Sequence, residues 1–199
     1  SDVKYSVGDA VAAVAATSEN LAMHALTLID VEYETRAHVV TPDDAMKSGA
    51  PLVGLLPDGN TFTRAENEIG DIEAGFAEAD VIIENESGWT NRWHNNPMGG
   101  GSCTVWWTGD ETSGATLNAW VDTQNPHGEH RGFSGSFELP QNRVKVYAHG
   151  AGGGFGGGRA SVNAPAAALA KKTGKIVSIH TDRRDQFFRG VTQFACKSH

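Results

Sequence analysis

Arg143-Val144-Lys145-Val146-Tyr147-Ala148-His149-Gly150-Ala151-Gly152-Gly153-Gly154-Phe155-Gly156-Gly157-Gly158-Arg159 is the stretch on which the fold turns. Val144 to Ala148 is a short β-branched and aromatic run with the composition of a strand. Seven glycines then fall between Gly150 and Gly158, interrupted only by Ala151 and Phe155. A helix over Asn163–Lys172 and a strand over Lys175–His180 follow. Glycine loses more conformational freedom on folding than any other residue. So many together mark either a hinge or a backbone that approaches a ligand closely with its N–H groups. Phe155 favours the second reading, because a hinge has no use for a bulky apolar side chain at its centre and a ligand loop can use one as a wedge.

Two phosphate-binding patterns compete for this loop. Gly152-x-Gly154-x-x-Gly157 fits a dinucleotide fingerprint between strand and helix, and Asp182 follows the next strand. The loop holds more glycine than that fingerprint requires, so the match arises easily by chance. A nucleoside-triphosphate loop needs Gly-Lys-Ser/Thr, and here Arg159-Ala160 stand after the glycines.

Upstream, Cys103–Trp107 and Leu117–Val121 read as a hairpin around Thr108–Gly114, and the second strand empties into Thr123-Gln124-Asn125-Pro126-His127. Asn125, Pro126 and His127 shape a turn. His127 and His130 flank Glu129, but a metalloprotease pair needs histidines four apart on a helix, and the zinc deaminases need Pro-Cys-x-x-Cys downstream; the sequence has neither. Gly132-Phe133-Ser134-Gly135-Ser136 lacks the glycine register of a nucleophile elbow. The two cysteines, Cys103 and Cys196, are too few for a four-thiolate iron–sulfur cluster. Cys103 reads as a buried, inert thiol.

Farther out, Val7 and Ala10–Ala16 read as a strand, Thr17-Ser18-Glu19 as a helix start, and Asp30–Glu34 as a second strand, a strand–helix–strand unit. Thr41-Pro42-Asp43-Asp44 starts a helix, Pro57-Asp58-Gly59-Asn60 makes a turn, and Asp71 caps a helix bearing Ile72 and Phe76. Val81–Glu84 reads as a strand, Glu84–Trp93 as strand and turn, and the end from Phe188 to His199 as strand and loop. A composition change near residue 77 marks a domain boundary.

The chain of 199 residues, 39% hydrophobic, has enough apolar content for one substantial core or two small ones. A formal charge of −8 without a basic cluster argues against nucleic acid and anionic membrane as partners. No apolar run approaches the roughly 20 residues of a membrane span. Small molecules and proteins remain as partners.

Gly-Gly-Gly-Phe-Gly-Gly after a Val-rich strand, with Thr123-Gln124-Asn125-Pro126-His127 about thirty residues upstream, resembles the molybdopterin-binding large subunit of the xanthine oxidase and aldehyde oxidoreductase family. The flanking text Gly8-Asp9-Ala10-Val11, Val31-Glu32-Tyr33-Glu34, Gly70-Asp71-Ile72-Glu73-Ala74 and Ala170-Lys171-Lys172-Thr173-Gly174 fits the same order. The resemblance implies an α+β chain of two mixed α/β subdomains. Residues 1–76 would be an N-terminal subdomain of the a/b hammerhead type, and residues 77–199 the first part of the cofactor-binding domain.

It further implies a molybdenum–molybdopterin cofactor, in its plain or cytosine dinucleotide form, with 2Fe-2S and FAD in partner chains. Gln124, Phe155 and Gly156 become the catalytic candidates, and Gln124, Gly153, Gly154, Phe155, Gly156 and Gly157 the cofactor contacts. No side chain is expected to ligate the metal, because the pterin dithiolene holds it. An amide at Gln124 suits a place beside a metal oxo group: a carboxylate would repel it and a lysine could protonate it, whereas an amide N–H donates without transferring a proton.

The implied reaction is hydroxylation of an electron-poor carbon in an aldehyde or N-heteroaromatic substrate, with oxygen from water. Arg159 takes the place where purine-oxidising members carry a glutamate, which implies an anionic substrate. Gly99 stands where members tend to carry an acid. The family's catalytic glutamate lies in a later segment, so the chain is expected to work only with other subunits that complete the molybdenum domain, beside iron–sulfur and flavin subunits, and to be unstable alone. A cytoplasmic or periplasmic place is expected. Three alternatives stay open: a nicotinamide or flavin dinucleotide-binding domain, a hydratase or dehydroxylase of the same family, and a non-catalytic assembly subunit.

Overall fold

The computed structural model describes residues 8–53, 59–61, 65–89, 97–109, 114–150, 152–153, 162–189 and 196–198. Its elements are α1 (Glu19–Leu26), α2 (Pro42–Ala45), α3 (Ile72–Glu78), β1 (Ser87–Trp89), β2 (Ser102–Thr108), β3 (Thr116–Val121), α4 (Pro126–Ser136), β4 (Val144–Tyr147), α5 (Asn163–Thr173), β5 (Val177–His180), α6 (Arg183–Arg189) and β6 (Cys196–Ser198). A single 3-10 turn, Gln141–Arg143, leads into β4. The chain forms two compact units, one of Ser1–Glu32 with Trp93–Thr192 and one of Tyr33–Arg92 with Gln193–His199. No helix among the described residues is long and apolar enough to cross a membrane.

The first unit is a four-stranded sheet in the order β4-β3-β2-β5 with helices on one face. The hairpin predicted from sequence forms, with Thr108 opposite Thr116 and Cys103 opposite Val121. β3 and β4 are parallel neighbours, Leu117 facing Val144 and Trp120 facing Tyr147. β2 is antiparallel to both β3 and β5, so β5 runs parallel to β3 and β4.

Strand residues alternate between faces, and one face carries Cys103, Val105, Leu117, Ala119, Val121, Val144 and Val177, all buried. Phe133 of α4 and Ala166, Ala167 and Ala170 of α5 complete the core. The alanines let α5 lie close, and Trp107 fixes the contact by donating its Nε1 hydrogen to the Ala167 carbonyl at 3.0 Å. Burying each of the larger side chains contributes roughly 1.5–3 kcal/mol. On the opposite face Trp106, Trp120 and Tyr147 meet, with ring centroids 5.1 Å apart for Trp106–Trp120 and 6.1 Å for Trp106–Tyr147. Trp120 remains 51% exposed, while Asn118 on the same face is 5% exposed.

The strands predicted at Ala10–Ala16 and Asp30–Glu34 do not form; both stretches lack regular structure. A strand leaves its N–H and C=O groups unpaired unless a neighbour runs alongside, and none does here among the described residues. The helix between them forms as predicted, because Ser18 caps it locally by accepting from the Leu21 N–H at 3.4 Å.

The second unit contains α2, capped by Thr41, and α3, capped by Asp71. The β1–β6 pair is antiparallel, Trp89 opposite Cys196. Asn60 clips a loop together, accepting from the Val53 N–H at 2.7 Å and donating to the carbonyls of Ala45 and Pro51. Val81–Glu84 lacks the predicted strand.

Candidate functional site

Because β3, β4 and β5 run parallel, their carboxyl ends share one edge of the sheet, together with the amino end of the antiparallel β2. Ligands in such sheets bind beyond the carboxyl ends of the strands. The turn holding Gln124 leaves β3 there, and the glycine-rich stretch leaves β4 there, on the adjacent strand. The sequence separates these two motifs by about thirty residues, and α4 makes the crossover that returns the chain to the neighbouring strand.

Gln124 is exposed in a bend between β3 and α4. Its neighbours fix the turn: the Asn125 N–H donates to Thr123 Oγ1 at 3.0 Å, and Asn125 Oδ1 accepts from the Gly128 N–H at 3.0 Å. The Asn125 amide occupies the space a Cβ at Gly128 would need, so a side chain there would push this cap aside. Pro126 opens α4 at a position where its missing N–H costs nothing. Gly153 is half-buried outside regular structure. Gly154, Phe155, Gly156, Gly157 and Arg159 lie outside the described residues.

Residues 97–101 stand at the same edge. The Gly101 carbonyl accepts from the Thr181 N–H at 2.9 Å and from Thr181 Oγ1 at 3.2 Å. Arg183 donates to the carbonyls of Pro97 and Met98 and, at 2.5 Å, to Gln186 Oε1. Thr181 and Gln186 are both 5% exposed, and a Cβ at Gly100 would stand 2.5 Å from the Thr181 carbonyl oxygen and from Gln186 Nε2. Gly99, by contrast, is exposed and open, with nothing within 4 Å of where its Cβ would be.

The Arg183 guanidinium is spent on the Pro97 and Met98 carbonyls and Gln186, and the Gln124 turn and residues 97–101 otherwise present amides, hydroxyls and backbone; no group of three His, Cys, Asp or Glu gathers among the described residues. Such a donor set fits a cofactor that brings its own metal ligands and asks the protein for neutral hydrogen bonds. His130 is engaged elsewhere, its Nε2 lying 3.0 Å from the Gln141 carbonyl. The Cys103 thiol is free and 1% exposed, and burial, with Glu129 nearby, pushes its pKa up to about 12, so it stays protonated and unreactive.

The dinucleotide reading of the glycine stretch meets a topological obstacle. A dinucleotide unit needs the strands on either side of its helix to be parallel neighbours; here β4 and β5 are separated by β3 and by the antiparallel β2. Two features that sequence reading passed over belong to the site's framework. One is α4, whose signal was Asn125-Pro126 followed by Glu129; the other is the hydrogen bond from Asn163 Nδ2 to Glu129 Oε2 at 2.6 Å, for which residues 34 apart offer no local signal.

A family model described as the molybdopterin cofactor-binding domain matches residues 56–198. The chain is 32% identical over 196 residues to a probable xanthine dehydrogenase subunit of Bacillus subtilis (strain 168), covering 98% of this chain and 25% of the relative. It is 32% identical over 152 residues to the nicotinate dehydrogenase large molybdopterin subunit of Eubacterium barkeri, covering 75% of this chain and 34% of the relative. In fold it matches the quinoline 2-oxidoreductase of Pseudomonas putida 86 with a TM-score of 0.73 and 23% identity, over 86% of this chain and 22% of that one. The chain thus spans about a quarter to a third of the length of these curated relatives.

Proposed function

The chain belongs to the molybdopterin cofactor-binding domain family, and from that premise we propose that it forms one wall of the molybdenum site in a xanthine dehydrogenase or aldehyde oxidase-type large subunit. The observation that carries the reading is that the Gln124 turn and the glycine-rich stretch leave adjacent parallel strands at one sheet edge. In this reading Gln124, Gly153, Gly154, Phe155, Gly156 and Gly157 hold molybdenum–molybdopterin. When bound, the cofactor supplies oxidation of an electron-poor carbon in an aldehyde or N-heteroaromatic substrate, with water as the oxygen source.

The chain's own part is positional and electrostatic. Gln124 presents a neutral N–H donor at the edge, the glycines let backbone N–H groups come close, and Phe155 wedges the loop. The cofactor is taken in its plain or its cytosine dinucleotide form, and partner chains carrying 2Fe-2S and FAD receive the electrons. Residues 1–76 form the N-terminal subdomain and 77–199 the beginning of the cofactor-binding domain, completed by further polypeptide of the large subunit. Arg159 meets a carboxylate or other anion on the substrate, through the paired N–H donors of its guanidinium.

The test is metal analysis and the ultraviolet–visible spectrum of the natively purified complex, which should show molybdenum and pterin; flavin or nicotinamide bound to this chain, or no cofactor, would overturn the reading. Gln124→Ala should then lower kcat about 10²-fold with molybdenum retained. Unchanged turnover and metal content in Gln124→Ala, Phe155→Ala and Gly156→Val together would place the site elsewhere. Arg159→Gln should raise KM for an anionic substrate far more than it changes molybdenum content; lost cofactor with unchanged KM would assign the arginine to the pterin instead.

A further inference from the structure

The turn that carries Gln124 and the helix that follows the glycine-rich stretch are joined by a bond that belongs to neither motif. Glu129 lies in the first turn of α4, and its Oε2 accepts from Nδ2 of Asn163, the first residue of α5, at 2.6 Å. Asn163 is 9% exposed, so its amide is largely shut off from water, and a buried amide left unpaired is costly. The N-cap of α5 is Val162, which offers no side-chain acceptor to the helix. A carboxylate from another element at that end also suits the positive pole of the helix dipole. On the other side, Thr123, Asn125 and Gly128 are hydrogen-bonded in sequence up to the residue before Glu129. A continuous chain of bonds therefore leads from the Gln124 turn to the point where the chain re-enters regular structure after the glycines.

We propose that Glu129 and Asn163 are positioning residues that lock the exit of the glycine-rich stretch to the Gln124 turn, so that both motifs address one cofactor. The proposal rests on the reading of those motifs as cofactor contacts. A hydrogen bond to an ionised acceptor is about twice as strong as a neutral one and holds a shorter distance, which suits a lock better than apolar packing does.

In the natively purified complex, Glu129→Ala and Asn163→Ala should each shorten the time over which molybdenum and pterin are retained during dialysis by about ten-fold or more. The double variant should be no worse than either single one. Glu129→Gln, which keeps an acceptor oxygen, should restore most of the retention. Asn163→Asp alone sets two carboxylates together and should be as damaging as the alanines, and combining it with Glu129→Gln reverses donor and acceptor and should rescue it. A second readout needs no cofactor: amide exchange in peptides spanning residues 148–162 of the cofactor-free complex should quicken in the alanine variants and return to the parental rate in Glu129→Gln. Additive single effects, failure of the reversed pair to rescue, or unaltered exchange would each overturn the lock. A complex without molybdenum would instead overturn the functional reading, and the exchange measurement would still decide whether the lock exists. Should Glu129→Ala fail to assemble, the comparison of Asn163→Asp with the reversed pair decides it alone.

Discussion

The two compact units are held by different physics. Every buried hydrophobic side chain among the described residues falls in the sheet unit, from Cys103 through Val177. In the other unit none of the described residues reaches that degree of burial, and Val40, Ile69 and Ile83 are 82%, 87% and 86% exposed. What order that unit has comes from polar groups acting over short spans: the Thr41 and Asp71 caps, the Asn60 clip and one strand pair. Burial scales with area and builds a cooperative core, whereas a cap or clip contributes on the order of 1 kcal/mol and acts locally. The candidate site sits on the half whose framework is cooperative, which is where rigid placement of donors is obtainable.

The contrast can be broken by substitution. Leu117 is fully buried at the centre of the sheet, and Leu117→Ala should cost about 2–5 kcal/mol in chemical denaturation of the sheet unit. A loss below about 1 kcal/mol would mean the core is not cooperative. Gly100→Ala should come next at about 1–3 kcal/mol, because the new methyl group meets the Thr181 carbonyl, which is backbone and cannot swing away. Its neighbour supplies the control, since Gly99→Ala has open space and should leave the midpoint unchanged. In the second unit, Asn60→Ala should cost about 1–2 kcal/mol and quicken exchange of the Val53 amide without moving the transition of the sheet unit.

Acid and alkali sharpen the same comparison. Burial raises the Cys103 thiol from 9.0 to about 12, so its protonated form contributes stability that is complete below pH 9 and fades as pH climbs toward 12. Cys103→Ala should flatten that alkaline loss in the sheet unit. Asp44 is held below its usual 3.8 by hydrogen bonds from Lys47 and Thr41. Its contribution is present above that value and disappears as pH falls through the lowered one; the raised Lys47 ammonium loses its share only as pH rises past its own range. Because the pair is exposed, its titration should be the smallest effect, visible in local exchange at α2 and absent from global melting.

Legibility in the sequence followed the same divide between local and distant causes. Helices with a cap were readable: Ser18, Thr41 and Asp71 each start one where the cap residue predicts it. The β2–β3 hairpin was readable because its two strands lie close in sequence, with Thr108 opposite Thr116. Ala10–Ala16, Asp30–Glu34 and Val81–Glu84 read as strands from their residues but lack regular structure, and composition cannot say whether a neighbouring strand exists. α4 escaped because Gly128, Gly132 and Gly135 lower its helix propensity; tertiary packing of Phe133 overrides that deficit. α6 escaped too: a helix runs over Arg183–Arg189 with its Asp185 N–H capped by Asp182 Oδ1 at 2.7 Å, while the expected strand-and-loop ending from Phe188 to His199 holds the strand β6 at Cys196–Ser198. For the site, Gln124 and the glycines were legible as a spaced pair, but the parallel adjacency of β3 and β4 that brings their loops to one edge is a property of topology.

The cluster of rings on the sheet has an optical consequence. Trp106 lies 5.1 Å from Trp120 at an interplanar angle of 61°, with Tyr147 within 6.2 Å of both. Indole transitions that close and that inclined mix, and the mixed states rotate polarised light far more strongly than isolated rings do. Two of the three rings sit on strands that pair only when β2 and β3 are in register, so a slip of that hairpin would separate them and extinguish the couplet. The circular-dichroism spectrum of the folded chain should therefore carry a band that reads the register of β2 against β3.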